Sequence, residues 1–239
     1  MAPPEDSPYQ LLVEGSDDLN TIIHLMKRHE FDWDDETSIR PFLSARGGIN
    51  GLLKDIPAFL RSAAYQRIGV VLDANSDLTA RWTQVRDRAQ EAGANLPDLP
   101  LPQGTTVSGR VADSRFGVWI MPDNQSLGAL ENFLGKLMPD ADPIQVYAGE
   151  AVNEARRRGA KCQPKDHIKS VLHTWLAWQA KPGLPFGTAL QAEIFEKDSD
   201  VALRFVAWFR NLFADPSPSP RSPAPSAPPP PPPRDPRNR

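Results

Sequence analysis

The chain of 239 residues contains a single cysteine, Cys162, and no long apolar run. One thiol cannot form an internal disulfide, and it cannot supply the several sulfur ligands of a cysteine-based zinc site. A bilayer-spanning helix needs about 20 apolar residues, and residues 1–8 also lack the basic start and hydrophobic segment of a signal peptide. The sequence therefore predicts a soluble, cytoplasmic protein that makes no use of a membrane.

Several catalytic signatures are also missing. The four histidines are not spaced as ligands of one metal ion, and no Gly-x-Ser-x-Gly motif indicates a serine hydrolase. Gly47-Gly48 precedes a predicted helix, but no phosphate-loop lysine follows it in the required pattern. Trp175 and Trp178 lie at helical spacing, which favours packing in a core over stacking on nucleic-acid bases. Serine-hydrolase and ATP-hydrolysing functions are therefore not expected.

Proline is concentrated at the end of the chain. Residues 215–239 carry 12 of the 26 prolines, with serine and arginine between them and no large apolar side chain. Such a segment favours polyproline II conformation and cannot bury a core. We expect a disordered tail, although a ligand for a proline-binding domain has the same composition.

Charge is unevenly distributed, although the net charge is only −3. Residues 5–36 contain ten acidic and two basic side chains, whereas residues 153–181 contain seven basic and two acidic ones. An acidic site beside a basic surface suits a phosphodiester that is held by its phosphates while a metal acts on one of them. Solvated helix faces produce the same asymmetry, so the pattern alone is not specific.

Apolar segments alternate with segments of helical periodicity over the first two thirds of the chain. We predict strands at residues 9–13, 40–45, 67–72 and 117–121, helices at 17–29, 49–64, 77–92 and 127–138, and a small hairpin at 105–112. After residue 149 the pattern is helical, at 150–158, 164–180 and 199–214. This alternation predicts an α/β fold with a mostly parallel sheet flanked by helices. The domains are predicted as an α/β domain (1–148), a helical C-terminal region packed on it (149–214) and the tail (215–239).

Three of the apolar runs end on an acidic residue, namely Glu14, Asp73 and Asp123. The carboxyl ends of parallel strands meet at one edge of a sheet, where open α/β folds place their sites. Carboxylates crowded together repel one another, so a persistent cluster usually holds a cation. We therefore predict a site for Mg²⁺ or Mn²⁺. The alternative is that individual acids, including Asp77, only cap helices.

Two segments carry a resemblance to a known fold. Residues 12–18, which read Leu-Val-Glu-Gly-Ser-Asp-Asp, and residues 70–77, which contain Asp73, Asn75 and Asp77, resemble the TOPRIM fold of topoisomerases, bacterial primases and OLD-family nucleases. Residues 117–131 and 173–183 resemble the DUF3226 family, which is related to the OLD-type TOPRIM group. The resemblance covers roughly residues 8–213.

The resemblance implies a role for each matching residue. It implies that Glu14 is a general base or metal ligand and that Asp18, Asp73 and Glu131 are ligands. Lys169 or Lys165 would stabilise phosphate charge. The resemblance also implies divalent-metal-dependent hydrolysis of DNA or RNA, and a role in phage defence with an ATPase partner.

One position departs from the family pattern, because Asn75 replaces the second aspartate of the Asp-x-Asp motif. A neutral amide oxygen is a weaker ligand than a carboxylate, so Asp77 would have to substitute for it. A catalytically silent module that binds nucleic acid or protein therefore stays open as an alternative. The basic residues expected to contact nucleic acid are Arg156, Arg157, Arg158, Lys161 and Lys165.

Overall fold

The computed structural model describes residues 3–35, 39–109, 111 and 113–213, and the predicted tail lies outside this range. The described residues form one five-stranded sheet, whose strands are β1 (Tyr9–Val13), β2 (Phe42–Ala45), β3 (Arg67–Asp73), β4 (Thr105–Ser108) and β5 (Arg115–Met121). The α-helices are α1 (Ser16–Arg28), α2 (Ile49–Arg61), α3 (Leu78–Glu91), α4 (Leu130–Gly135), α5 (Pro143–Arg157), α6 (His167–Ala177), α7 (Phe186–Gln191) and α8 (Asp200–Phe213). A short 3-10 helix, Pro164–Asp166, precedes α6.

The sheet has the strand order β2-β1-β3-β5-β4. β1, β2, β3 and β5 all run in the same direction. Only β4 runs antiparallel, and it pairs with β5. The prediction of an α/β fold with a mostly parallel sheet is therefore confirmed. Among the described helices, none is both long and apolar enough to cross a membrane.

The two faces of the sheet bury separate cores. Side chains alternate along a strand, so Val71 faces one side of β3 while Val70 and Leu72 face the other. The face that carries Val71 packs against α1 and the helices from α4 onward, and the opposite face packs against α2 and α3. Because the C-terminal helices share a core with the sheet, the two regions pack as one body; the predicted boundary after residue 148 lies inside α5.

The connection before β5 differs from the prediction. The hairpin partner of β4 is β5 itself, with Val107 opposite Phe116, whereas two residues of the predicted partner segment, Arg110 and Ala112, lie outside the described residues. β5 begins at Arg115, two residues earlier than predicted, because Arg115 and Phe116 pair with both β3 and β4 and Phe116 is fully buried in the core. The physical cause is thus tertiary burial rather than a local turn signal.

Helix α4 is shorter than predicted and begins only at Leu130. The preceding segment is held extended because the backbone of Gly128 exchanges two hydrogen bonds with that of Asn75, at 2.9 and 2.6 Å. Gly128 has a φ of +134°, a value that glycine adopts with little strain. This bridge joins the loop after β3 to the loop after β5.

Helix α7 was not predicted and packs against α1. A Cβ atom added at Gly187 would lie 3.0 Å from the Cβ of Asn20, so the helices approach closely because this residue has no side chain. A helix of six residues is unstable alone and depends on such packing. A segment of six residues is too short for its hydrophobic periodicity to predict this helix.

Candidate active site

Strands β1 and β3 are parallel neighbours, and their pairing brings Glu14 beside Asp73. Val13 lies opposite Val71, so the two acids emerge at the same edge of the sheet. The Glu14 Oε1 atom accepts a hydrogen bond of 2.9 Å from the backbone N–H of Asp73. This contact places the first two predicted acids together.

Asp18 lies in the first turn of α1 and is almost fully buried, with 6% of its surface exposed. Its Oδ2 atom accepts a 3.0 Å hydrogen bond from the N–H of Gly15, whereas Oδ1 has no hydrogen-bond partner among the described residues. Burial and, to a smaller extent, the charge of Glu14 raise the pKa of Asp18 to about 6, although the hydrogen bond from Gly15 lowers it. An unpartnered, buried carboxylate oxygen is costly unless a cation or donor reaches it.

Asp73 is the most perturbed carboxyl group of the cluster. Burial, together with the charges of Asp18, Glu14 and Glu131, raises its pKa to about 8. Its Oδ1 atom accepts a hydrogen bond of 3.1 Å from the N–H of Leu130, at the start of α4. The end of β1, strand β3, helix α1 and helix α4 therefore bring four acids close enough for their charges to interact.

Glu131 and Lys169 connect this cluster to α6. Their Oε1 and Nζ atoms lie 2.8 Å apart, and this hydrogen bond raises the pKa of Lys169. Both residues line a cavity of about 520 Å³ together with Asp73 and Lys165. The remaining lining residues are Asn75, Ser76, Gly128, Ala129, Asn132, Asp166 and Ile168. The cavity thus has carboxylates from β3 and α4 and lysines from the start of α6 and the turn before it.

Two acids of the predicted constellation have local partners instead. Asp77 is exposed, and its Oδ1 atom accepts a 2.8 Å hydrogen bond from the N–H of Ala80 as the N-cap of α3. Asp123 has its Oδ1 atom 2.7 Å from the N of Ser126, and its Oδ2 atom 3.3 Å from Nζ of Lys136. Burial would raise the pKa of Asp123, but its hydrogen bonds outweigh burial and lower it. Capping thus accounts for the contacts of Asp77, and a turn for those of Asp123.

The predicted nucleic-acid residues lie in and around the connection between α5 and α6. Arg157 and Arg158 both pair with Glu154, at 2.7 and 2.6 Å, while Lys161 is exposed. Arg156 lines a shallow surface concavity with Cys162, and Lys165 lines the cavity of Asp73. One glutamate thus faces two of the arginines, which leaves this surface positively charged.

Two residues near the acidic cluster were not predicted from the sequence. Arg81 donates a hydrogen bond of 3.0 Å from Nε to the carbonyl oxygen of Asp73. Asn132 accepts a 3.0 Å hydrogen bond at Oδ1 from the N–H of Ala129 and also lines the cavity. Asn132 lies three residues after Ala129, which is the spacing of a capping interaction. This spacing is the one sequence signal that could have indicated Asn132.

The donor set suits a hard divalent cation, since it consists of carboxylate oxygens and includes the unpartnered Oδ1 of Asp18. In the described part of the chain, however, no three carboxylate, imidazole or thiolate groups are arranged to coordinate one ion. Asp73 and Glu131 are engaged with Leu130 and Lys169, respectively. The oxygen atoms of these residues are suitable ligands for such an ion. Their side chains would have to reorient to bind it.

Comparison with known proteins gives one family match. No curated protein and no solved structure matches the chain. The model of the family described as "Protein of unknown function (DUF3226)" matches residues 8–214. Because this match covers most of the sequence, the chain belongs to the DUF3226 family.

Proposed function

We propose that the protein is a divalent-metal-dependent nuclease that hydrolyses phosphodiester bonds in DNA or RNA. One observation carries the proposal: the cavity that contains Asp73 and Glu131 also contains Lys165 and Lys169. Carboxylates can hold a cation, and lysines can hold the phosphate on which it acts. Both parts of phosphodiester chemistry therefore meet in one cavity.

Each residue has a role in this proposal. Asp18, Asp73 and Glu131 would hold Mg²⁺ or Mn²⁺, which supplies charge neutralisation and acidifies a water molecule. Glu14, held beside Asp73 by its backbone hydrogen bond, would accept the proton of the attacking water. Lys169 would stabilise phosphate charge once Glu131 releases it, with Lys165 beside it in the cavity.

Three further parts of the proposal rest on the resemblance described above. They are the relationship to OLD-type TOPRIM nucleases, a cytoplasmic role in phage defence, and cooperation with an ATPase partner. The support is the acidic sheet edge at Glu14 and Asp73 together with the parallel order of β1, β3 and β5. Asp77 would replace the second aspartate of the Asp-x-Asp motif as a metal ligand, which requires its carboxylate to leave the N-cap of α3.

Asp73→Ala should remove metal-dependent cleavage. We expect wild-type protein with Mg²⁺ or Mn²⁺ to cleave a panel of single-stranded and duplex DNA and RNA, and Asp73→Ala to lower the rate at least about 100-fold, the scale for losing one key electrostatic group. Asp87→Ala removes an exposed acid of α3 and should leave the rate unchanged. Equal cleavage by wild type and Asp73→Ala would reject the nuclease assignment.

The alternative is a binding module without catalysis. It is favoured by Asn75, which offers an amide where the related motif has a carboxylate, and by the ion pair that occupies Glu131. In that case the same cavity would hold a phosphate group without cleaving the bond.

Titration calorimetry with Mn²⁺ separates the two candidates. The nuclease requires binding with a dissociation constant between micromolar and millimolar, and Asp18→Asn should weaken it at least about tenfold because a buried anionic oxygen is lost. An absence of heat up to millimolar Mn²⁺ would favour the silent module. The thermal midpoint of Asp18→Asn, compared with that of wild type, controls for unfolding.

A further inference from the structure

Two aromatic side chains stack on each other at the protein surface. Tyr147 of α5 and Trp178, just after α6, have ring centroids 5.3 Å apart and planes inclined by 22°. Tyr147 is 57% exposed and Trp178 is 45% exposed, whereas Trp175, one turn earlier, is buried in the core. The core packing expected from the sequence is therefore confirmed for Trp175 and wrong for Trp178.

Two other large apolar side chains close to Tyr147 in the sequence are also exposed. Ile144 and Val146, also on α5, are 41% and 61% exposed. Large apolar side chains that cluster at a surface usually mark a place where a partner binds. Rings that lie nearly parallel with a face open to solvent suit another flat, aromatic partner.

Tyr147 shares a surface groove with Arg157, and further basic residues follow along the chain up to two lysines of the active-site cavity. Residues 154–169 contain six basic and two acidic side chains. A groove on α5 is lined by Tyr147 and Arg157, and Arg157 also lines the next concavity together with Arg156. Lys165 and Lys169, further along the chain, line the cavity that holds Asp73. We call residues 154–169 the basic track.

We propose that this surface binds single-stranded nucleic acid, whose bases stack on Tyr147 and Trp178 while its phosphates follow the basic track toward the cavity of Asp73. Stacking requires unpaired bases, because a duplex hides their faces. This proposal names single-stranded nucleic acid as the substrate class of the proposed nuclease. Cleavage of the bound strand rests on the proposed nuclease function, whereas binding does not. Glu150 and Glu154 interrupt the positive charge beside Tyr147, so stacking rather than charge dominates at that end.

A second copy of the chain is the other natural occupant of an apolar patch. A two-fold interface centred on Tyr147 would bring the basic tracks of both copies near each other. Their positive charges would repel, whereas the phosphates of a nucleic acid would be attracted. Charge complementarity therefore favours the nucleic acid.

Binding can be measured without cleavage by fluorescence anisotropy in EDTA. The probe is a labelled single strand of about 12 nucleotides, compared with its duplex. We expect Tyr147→Ala to weaken single-strand binding at least about fivefold, the scale of losing one base stack, and to leave duplex binding unchanged. Tyr147→Phe should retain wild-type affinity, and Val146→Ala, which removes neighbouring apolar surface only, is the matched control.

The outcomes separate this inference from the nuclease proposal. Equal single-strand affinity of wild type and Tyr147→Ala would overturn the stacking surface, even if metal-dependent cleavage were observed. Loss of binding in Tyr147→Ala without any cleavage by wild type would support the surface and count against the nuclease. Sedimentation that shows a dimer in wild type and a monomer in Tyr147→Ala would also overturn the inference, because the patch would then be a subunit interface.

Discussion

Asp73→Asn is expected to raise the free energy of unfolding by about 1–3 kcal/mol near pH 8 in the absence of divalent metal. The folded-state pKa of Asp73 is raised to about 8 from its ordinary value of 3.8, so between these values the folded protein holds a proton that the unfolded chain has released. Stability of the wild type should therefore fall as the pH rises from about 4 to about 8. Asparagine resembles the neutral acid in shape and carries no charge at any pH.

The pH dependence provides the check. Urea unfolding at several values between about pH 4 and pH 8 should show a difference between Asp73→Asn and wild type that is small at the acidic end and grows toward pH 8. Asp87→Asn, which changes an exposed acid on α3, should show no such growth. A difference that is constant across the range would mean that burial and the neighbouring acids do not raise the pKa of Asp73.

The same variant should lose metal-dependent stabilisation. A ligand that binds only the folded state raises the free energy of unfolding by mass action, so millimolar Mn²⁺ should stabilise the wild type near pH 8. Asp73→Asn should respond much less. A variant that becomes more stable while losing metal response is typical of a site where stability has been given up for function.

Phe205→Ala should lower the free energy of unfolding by about 3–5 kcal/mol. Phe205 of α8 is fully buried, and its ring makes edge contacts with two other rings. The ring centroids of Phe205 and Trp119 of β5 are 5.2 Å apart, and those of Phe205 and Phe133 of α4 are 5.8 Å apart. Alanine would leave a cavity where the sheet meets the C-terminal helices. Thermal or urea unfolding measures the loss.

A matched control lies two residues away on the same helix. Leu203 is 47% exposed, so Leu203→Ala should change the stability by no more than about 0.5 kcal/mol. Unfolding of wild type in a single transition is also expected, since α8 shares its core with the sheet. Two separate transitions, with Phe205→Ala affecting only one of them, would show that residues 149–214 form an independent domain.

The candidate site could be predicted in part because one rule depends only on neighbouring residues. An apolar run of strand length that ends on an acid places that acid at the edge of a parallel sheet, and this rule places Glu14 and Asp73 together. Asp123 also follows the end of a parallel strand, but its carboxylate accepts hydrogen bonds from the backbone N–H groups of Gln125 and Ser126 in the turn that follows.

Other parts of the site depend on contacts between distant segments. Glu131 reaches Lys169 because α4 and α6 pack together, and the sequence alone left Lys165 and Lys169 equally placed. The exposure of Trp178 likewise depends on where α6 ends, at Ala177. Helical spacing gives the same pattern for a buried and an exposed tryptophan.

The sequence by itself determined the α/β class, the parallel strands and the presence of acids at their carboxyl ends, because side-chain periodicity and strand ends are properties of neighbouring residues. Only the tertiary structure decided which acids share one electrostatic environment, which of the two lysines pairs with Glu131, and that Tyr147 meets Trp178. Burial and charge coupling arise between segments far apart in the chain, and no local pattern encodes the distance between them.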